Sequence, residues 1–502
     1  MRRTALATPT PIARPAGRGG QGRGQAASLR SPVLAALAAW VLAAALCLPA
    51  PPAFAGDPAA APVPMPAARL PAAPPRANDY PIVLVHGFLG FAGKGPLDLN
   101  YWGGCLDLVE ELRARGYQAY AAEVGPVSSN WDRACELYAA IRGGRVDYGL
   151  AHARAAGHRR FGRDYPGLLP DWGETRPVHL LGHSMGGLTC RVLVQLLEEG
   201  DGAERAATPA GELSPLFAGG HSGERAWVRS VTSLSSPHDG TPAAYRFDTA
   251  KPALRRFAAG LYYRAAKAAS AASGAAGGAA NEAGEASGGP EEASGAAGGA
   301  ASAAGSESLP RGRGLRLDLH LEAWGLAPEP GESAAHFRRR FAHAEDWWRG
   351  RDTGIWDGSP QGARELNLWV AARPDVYYFS WATEQTTRDP ISCRQVPEPG
   401  MNFLIYSQAA WIGGWGRDPA WWPNDGIVST CSMDGPSLGS SDLIVPYSGE
   451  LRPGVWNFMG VLGSCDHLDV IGILSPRVHP AGSAGLPEFY AAIAALLAGL
   501  PE

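Results

Sequence analysis

Short apolar runs, each closed by glycine or polar residues, alternate with stretches of helical periodicity. Pro81-Ile82-Val83-Leu84-Val85 and Val178-His179-Leu180-Leu181 are continuous and rich in branched residues. Such runs read as strands buried on both faces, as in a parallel sheet. Val228 to Leu234 and Val376 to Trp381 predict two more. Leu106, Val109 and Leu112 recur at helical spacing before Gly116, and Leu188, Val192, Leu193, Leu196 and Leu197 do so before Gly200. Phe489 to Leu497 predicts a closing amphipathic helix. Strands alternating with helices predict an α/β fold with a doubly wound, mainly parallel sheet covered on both faces.

Three stretches lack this pattern. Residues 1–55 contain no acidic side chain, and six arginines precede an apolar run from Pro32 to Leu48 that ends near Ala53-Phe54-Ala55. This reads as an export signal, removed to leave a secreted chain. A membrane anchor and an organelle-targeting peptide ahead of a lumenal signal are the alternatives. Residues 56–79 read as an Ala/Pro-rich linker, with the ordered domain, 80–502, beginning at Tyr80. Within it, residues 265–308 are a tract of Ala, Gly, Ser and Glu with too little apolar surface to offset chain ordering. Just ahead, Leu254, Phe257, Leu261 and Tyr262 share one helical face. That face suits either a core helix or a lid, Leu254 to Ala265, over an apolar site.

Composition narrows the function. A net charge of -4 disfavours a nucleic-acid binder but says nothing against a neutral lipid. Six cysteines follow the signal, with no Cys-x-x-Cys, so they could pair but do not suggest a zinc–thiolate site.

The candidate chemistry centres on Gly182-His183-Ser184-Met185-Gly186. The pattern is common by chance, but here it sits between a strand and a helix, as the nucleophile elbow of an α/β-hydrolase requires. A serine nucleophile needs a base and the base an orienting acid, in the chain order Ser, Asp, His for this fold. Asp425 in Asn424-Asp425-Gly426 and His467 in Cys465-Asp466-His467 follow in that order. Alone, either would be read as a turn or a structural side chain. The oxyanion donors would be the backbone N–H groups of Met185, after the nucleophile, and Phe88, after the first strand. Asp132, His152 and His158 form a weaker group that could bind zinc. Six positions do not share a helical face, so at least one histidine belongs on a loop, and solvated histidines are the default reading.

Longer runs carry a resemblance. Tyr101-Trp102-Gly103-Gly104, Gly125 to Glu136, Val146-Asp147-Tyr148-Gly149, Tyr165 to Pro170, Ser214-Pro215-Leu216-Phe217, Pro237 to Thr241 and Asn424 to Val428 are similar to the thermoalkalophilic bacterial lipases, zinc- and calcium-binding α/β-hydrolases. The similarity runs from about Pro81 to Gly472, outside the low-complexity tract. It implies Ser184, Asp425 and His467 as the triad and Phe88 and Met185 as oxyanion donors. It also implies a structural zinc on Asp132, His152, His158 and Asp352, pinning an inserted helical subdomain with Trp347 and Trp348 packed around it. The family's calcium ligands fall on Gly400, Asp469 and, depending on register, Leu474 and Ser475 or Ser475 and Pro476. A carboxylate is lost in either register, so calcium affinity should drop or vanish.

The resulting expectation is hydrolysis of acylglycerol esters through an acyl-enzyme, at a lipid–water interface. A galactolipid or phospholipid acyl hydrolase or an acyltransferase is the neighbouring reading. A non-catalytic lipid-binding relative is the reading from another class.

Overall fold

The computed structural model describes residues 65–68, 74–95, 98–249, 259, 262–263, 318–329, 331–473 and 485–502. The signal and low-complexity tract lie outside these residues, as does most of the segment read as a lid. The strands are β1 (Ile82–Val85), β2 (Ala119–Ala122), β3 (Gly144–Asp147), β4 (Phe161–Tyr165), β5 (Val178–His183), β6 (Val228–Leu234), β7 (Tyr377–Glu384), β8 (Thr386–Arg388), β9 (Gln395–Pro397), β10 (Ile444–Pro446) and β11 (Trp456–Gly463). Seven form one sheet in the order β10-β11-β7-β6-β5-β1-β2, and every neighbouring pair is parallel. This is the α/β-hydrolase arrangement expected from the sequence.

The central strands are buried throughout, which is why their sequences run apolar instead of alternating. The chain leaves β1 for β2 on one side, then returns to β5 on the other. That reversal opens a crevice beyond the carboxyl ends of β1 and β5, where ligands bind in such sheets. Helices cover both faces: α1 (Leu108–Ala114) and α6 (Leu486–Ala498) on one, α2 (Asn130–Arg142) and α4 (Met185–Glu199) on the other. Two further helices are α3 (Leu150–Ala156) and α5 (Tyr406–Ile412). No helix among the described residues is long and apolar enough to cross a membrane.

Several details depart from the sequence reading. Leu106 lies outside α1 and is exposed, because Asp107 caps the helix by accepting from the N–H groups of Val109 and Glu110. The segment between β2 and β5 is not purely helical, since β3 and β4 form an antiparallel ribbon around α3. The stretch read as a linker reaches the sheet: Ala68 N–H donates to Val461 O, and Val461 N–H donates to Pro66 O, each at 2.8 Å. Backbone pairing needs no side-chain pattern, so hydropathy could not reveal it. Asn78, also within that stretch, is buried and donates to the carbonyls of Leu497 and Leu500. The six described cysteines are all free.

Tyr262, on the segment read as a lid, is buried against Phe337 and Phe341. It belongs to a small second core with Leu319, Leu321, Trp347 and Trp348.

Candidate active site

β5 delivers Ser184 to the crevice and α4 carries the chain away. Ser184 occupies φ 55°, ψ -128°, a conformation side-chain-bearing residues rarely adopt. The turn is this tight because α4 passes against β1; a Cβ on Gly186 would lie 2.1 Å from the carbonyl oxygen of Val85. The loop after β1 also closes on the serine. A Cβ on Gly87 would meet the Ser184 Cβ at 2.7 Å, so only glycine lets Phe88 approach the elbow. Fully buried Arg133 fixes that loop from α2, donating to the carbonyls of His86 and Gly125 and, at 2.8 Å, to Thr189 Oγ1.

Asp425 and His467 sit on loops beyond β7 and β11. Their side chains meet at 2.8 Å, Asp425 Oδ2 to His467 Nδ1. Asp425 is wholly buried and its carboxylate is saturated. Oδ1 accepts from the N–H groups of Ile427 (3.0 Å) and Val428 (2.8 Å), and Oδ2 also accepts from Thr383 Oγ1 (2.7 Å). The His467 N–H donates to the Asp425 carbonyl at 2.9 Å. Ser184, His467, Phe88 and Met185 line one largely apolar pocket of about 1090 Å³, counting its open mouth. Ile355, Leu404, Ile405 and Val428 supply apolar wall. Sequence reasoning missed three polar residues here: Thr383, His183 and Tyr101. Two of them were in plain sight, as the variable position of the pentapeptide and the first residue of Tyr101-Trp102-Gly103-Gly104.

Asp132, His152, His158 and Asp352 converge at a second place. Ser129 caps α2, accepting from Asp132 N–H, so Asp132 sits in the helix's first turn. His152 lies within α3, and Gly157 ends that helix in the left-handed conformation at φ 90°. The chain turns back there, which brings His158 to its neighbour despite the six-residue spacing. The separations of Nε2 from Asp132 Oδ1 and Asp352 Oδ2 are 3.2 and 3.4 Å for His152, and 3.7 and 3.3 Å for His158. All four atoms are buried, yet none has a hydrogen-bond partner. They face a common centre instead of one another. A tetrahedral ion with bonds of ~2.0–2.1 Å would set its ligands roughly 3.3 Å apart, so the residues fit zinc. Burial opposes a charge on His152, but the two carboxylates outweigh it and hold its pKa up at about 10. The cluster thus favours positive charge. His158 Nδ1 lies 2.8 Å from the carbonyl of Arg159, a contact that orients the ring. The aromatic packing differs from expectation: Trp131 stacks on His152 and Trp324 lies against His158, while Trp347 and Trp348 belong to the second core. Their indoles turn toward Phe341, which the local sequence around Asp352 does not reveal.

Of the residues assigned to calcium, Gly400 and Asp469 are described and Leu474, Ser475 and Pro476 are not. Asp469 Oδ2 accepts from the N–H of Asp466 at 3.0 Å. Among the described residues, the zinc-type group is the one place where three or more His, Cys, Asp or Glu side chains converge in this way.

A sequence profile described as "Lipase-like, C-terminal domain" matches residues 78–265 and 310–499. The chain belongs to this family. The unmatched gap coincides with the low-complexity tract of the lipase-like chain, and both clusters fall inside the matched ranges. "Lipase 2" of Staphylococcus aureus is 33% identical over 407 residues, covering 79% of this chain and 51% of the relative. The lipase of Staphylococcus hyicus is 33% identical over 399 residues, covering 79% and 54%. The lipase-like chain therefore spans about half the length of the curated relatives it matches. Among solved structures, lipase 1 of Pelosinus fermentans is 40% identical with a TM-score of 0.64, covering 85% of this chain and 100% of that one. The Staphylococcus hyicus lipase structure is 32% identical with a TM-score of 0.66, covering 86% and 98%.

Proposed function

We propose that the chain hydrolyses carboxylic esters of long-chain acids, acylglycerols foremost, through an acyl-enzyme on Ser184. One observation carries the reading: a strained serine and a buried Asp–His pair open onto the same apolar pocket. Asp425 binds His467 Nδ1, leaving Nε2 as the ring nitrogen that takes the Ser184 proton. The serine Oγ then attacks the ester carbonyl. The N–H groups of Phe88 and Met185 stabilise the oxyanion; that of Met185, at the start of α4, has no acceptor within its own helix. His467 returns the proton to the departing alcohol, and water releases the acid by the same steps. Asp425 orients the imidazole and stabilises its cation. The pocket wall would take the acyl chain. The relatives named lipase support the same chemistry.

The test is a chain-length series of p-nitrophenyl esters and a panel of triacylglycerol, galactolipid and phospholipid substrates, with stoichiometric labelling by a serine-directed phosphonate. Turnover should rise from acetate toward longer acyl chains. Absence of both labelling and turnover would leave a lipid-binding relative as the better reading.

We further propose that Asp132, His152, His158 and Asp352 hold one zinc ion. Four protein ligands leave no open position, so the ion would act as a structural cross-link between α2, α3 and the Asp352 loop. Metal analysis should find one zinc per chain, and His158→Ala should lose it. Chelation should lower the unfolding midpoint by roughly 5–10 °C, taking several kcal/mol of binding energy and ~2 °C per kcal/mol for a domain of this size. No zinc, with a midpoint indifferent to chelator, would dismiss the site.

A further inference from the structure

A buried chain of hydrogen bonds joins the two halves of the candidate active site. The N–H of Gly87 donates to Tyr101 OH at 2.8 Å. Tyr101 OH lies 2.7 Å from His183 Nδ1, and His183 Nε2 lies 3.1 Å from the carbonyl oxygen of His467. A carbonyl only accepts, so His183 Nε2 carries a proton. Burial pushes the His183 pKa well down and keeps the ring neutral. Its Nδ1 is then an acceptor, and Tyr101 donates to it. Direction is fixed along the whole chain: Gly87 N–H to Tyr101, Tyr101 to His183, His183 to His467.

Each end holds something the chemistry needs. The peptide joining Gly87 to Phe88 is trans and planar, so the Phe88 N–H points opposite to the Gly87 carbonyl. That carbonyl accepts from Gly90 N–H at 3.1 Å. The bound Gly87 N–H fixes the preceding peptide plane in turn, so the loop has little freedom to turn its oxyanion donor away. At the other end, His467 is held at its N–H by Asp425 and at its carbonyl by His183, and its ring packs on that of His183 with centroids 4.7 Å apart. Nε2, the ring nitrogen left to take the Ser184 proton in the reading above, is thereby positioned from the backbone as well as through Nδ1.

We propose that Tyr101 and His183 are positioning residues, a relay that sets the oxyanion loop and the base in register with Ser184. The proposal rests on the esterase reading above. It concerns geometry in the transition state, so it predicts an effect on kcat and little on KM. Misplacing reacting groups by a fraction of an ångström to an ångström costs up to about 100-fold.

The experiment compares wild type, Ser184→Ala, Tyr101→Phe, His183→Gln and His183→Leu on one p-nitrophenyl ester, with thermal midpoints alongside. Tyr101→Phe should lower kcat about 10–100-fold with KM within about twofold. His183→Gln can accept from Tyr101 through Oε1 and donate to His467 through Nε2, so it should recover most of the kcat that His183→Leu loses. A folded Tyr101→Phe enzyme with wild-type kcat would overturn the relay. So would equal losses in the Gln and Leu variants that track their midpoints, since that marks a packing role. If wild type turns over no ester, or Ser184→Ala matches it, the esterase reading fails first and the relay falls with it.

Discussion

Replacing Ser184 by alanine should abolish ester turnover, lowering kcat by about 10⁴–10⁶-fold. The size follows from losing the nucleophile itself: without Oγ there is no acyl-enzyme, and His467 has no proton to take. Donors on Phe88 and Met185 would still polarise a bound ester, so a small residue of catalysis over water should persist. This substitution is unusually clean. Ser184 makes no side-chain capping bond to α4, so removing its hydroxyl orphans no buried donor there. Alanine also carries a Cβ and inherits the same strained backbone. The thermal midpoint should therefore stay within the range of an ordinary surface change, about 0.5 kcal/mol. Any zinc content should match wild type, because the proposed zinc ligands do not include this residue. Turnover within tenfold of wild type would refute the nucleophile assignment.

The parts of this molecule legible in the sequence are those in which local pattern and tertiary role coincide. Central strands are buried on both faces, so β1 and β5 appear as largely apolar runs, and the limits of β1, β5 and β6 fall within two residues of those expected. The elbow is legible because a tight strand-to-helix turn demands small residues around the serine. Chain order then singles out Asp425 and His467, which the fold brings to 2.8 Å. What was not legible rests on backbone groups or on distance along the chain. Pro66, Ala67 and Ala68 pair with Val461 through main-chain atoms alone. Asp352 lies about two hundred residues after His152, and no local signal joins them; only the family resemblance did. His183 and Tyr101 escaped because each is an ordinary residue until its buried ring atoms are followed to their partners.

The candidate metal-binding cluster and the pocket are also closer than the sequence suggests. Asp352 is two residues from Gly354, whose N–H donates to Val127 O at 2.9 Å. A Cβ on Gly354 would lie 2.8 Å from Met185 Sδ and 3.1 Å from Phe88 Cδ2. The loop that carries one candidate ligand therefore packs on both residues whose N–H groups are the proposed oxyanion donors. This proximity ties the two clusters into one wall, with Gly354 and Ile355 as its pocket face.

The second large effect should come from Asp425→Asn, a change of one atom that should lower kcat about 10⁴-fold, near 5.5 kcal/mol. Its strength comes from how the carboxylate is used. Oδ1 accepts from two backbone donors, Ile427 and Val428, and an asparagine will keep its carbonyl oxygen there. Its NH₂ group must then occupy the Oδ2 position, facing His467 Nδ1 and Thr383 Oγ1. Thr383 can adapt by accepting, because its hydroxyl rotates and has Ser235 Oγ as another neighbour at 2.8 Å. The imidazole cannot adapt without cost. Facing a donor, Nδ1 must give up its proton, and the neutral ring then carries hydrogen on Nε2. That nitrogen can no longer accept the Ser184 proton, and the counter-charge for the imidazolium is gone. The fold should tolerate the change, since the buried donors of Ile427 and Val428 stay satisfied. KM, set by the apolar walls, should move little. Steady-state kinetics and the thermal midpoint decide the matter together: a well-folded Asp425→Asn enzyme keeping more than a tenth of wild-type kcat would remove Asp425 from its orienting role.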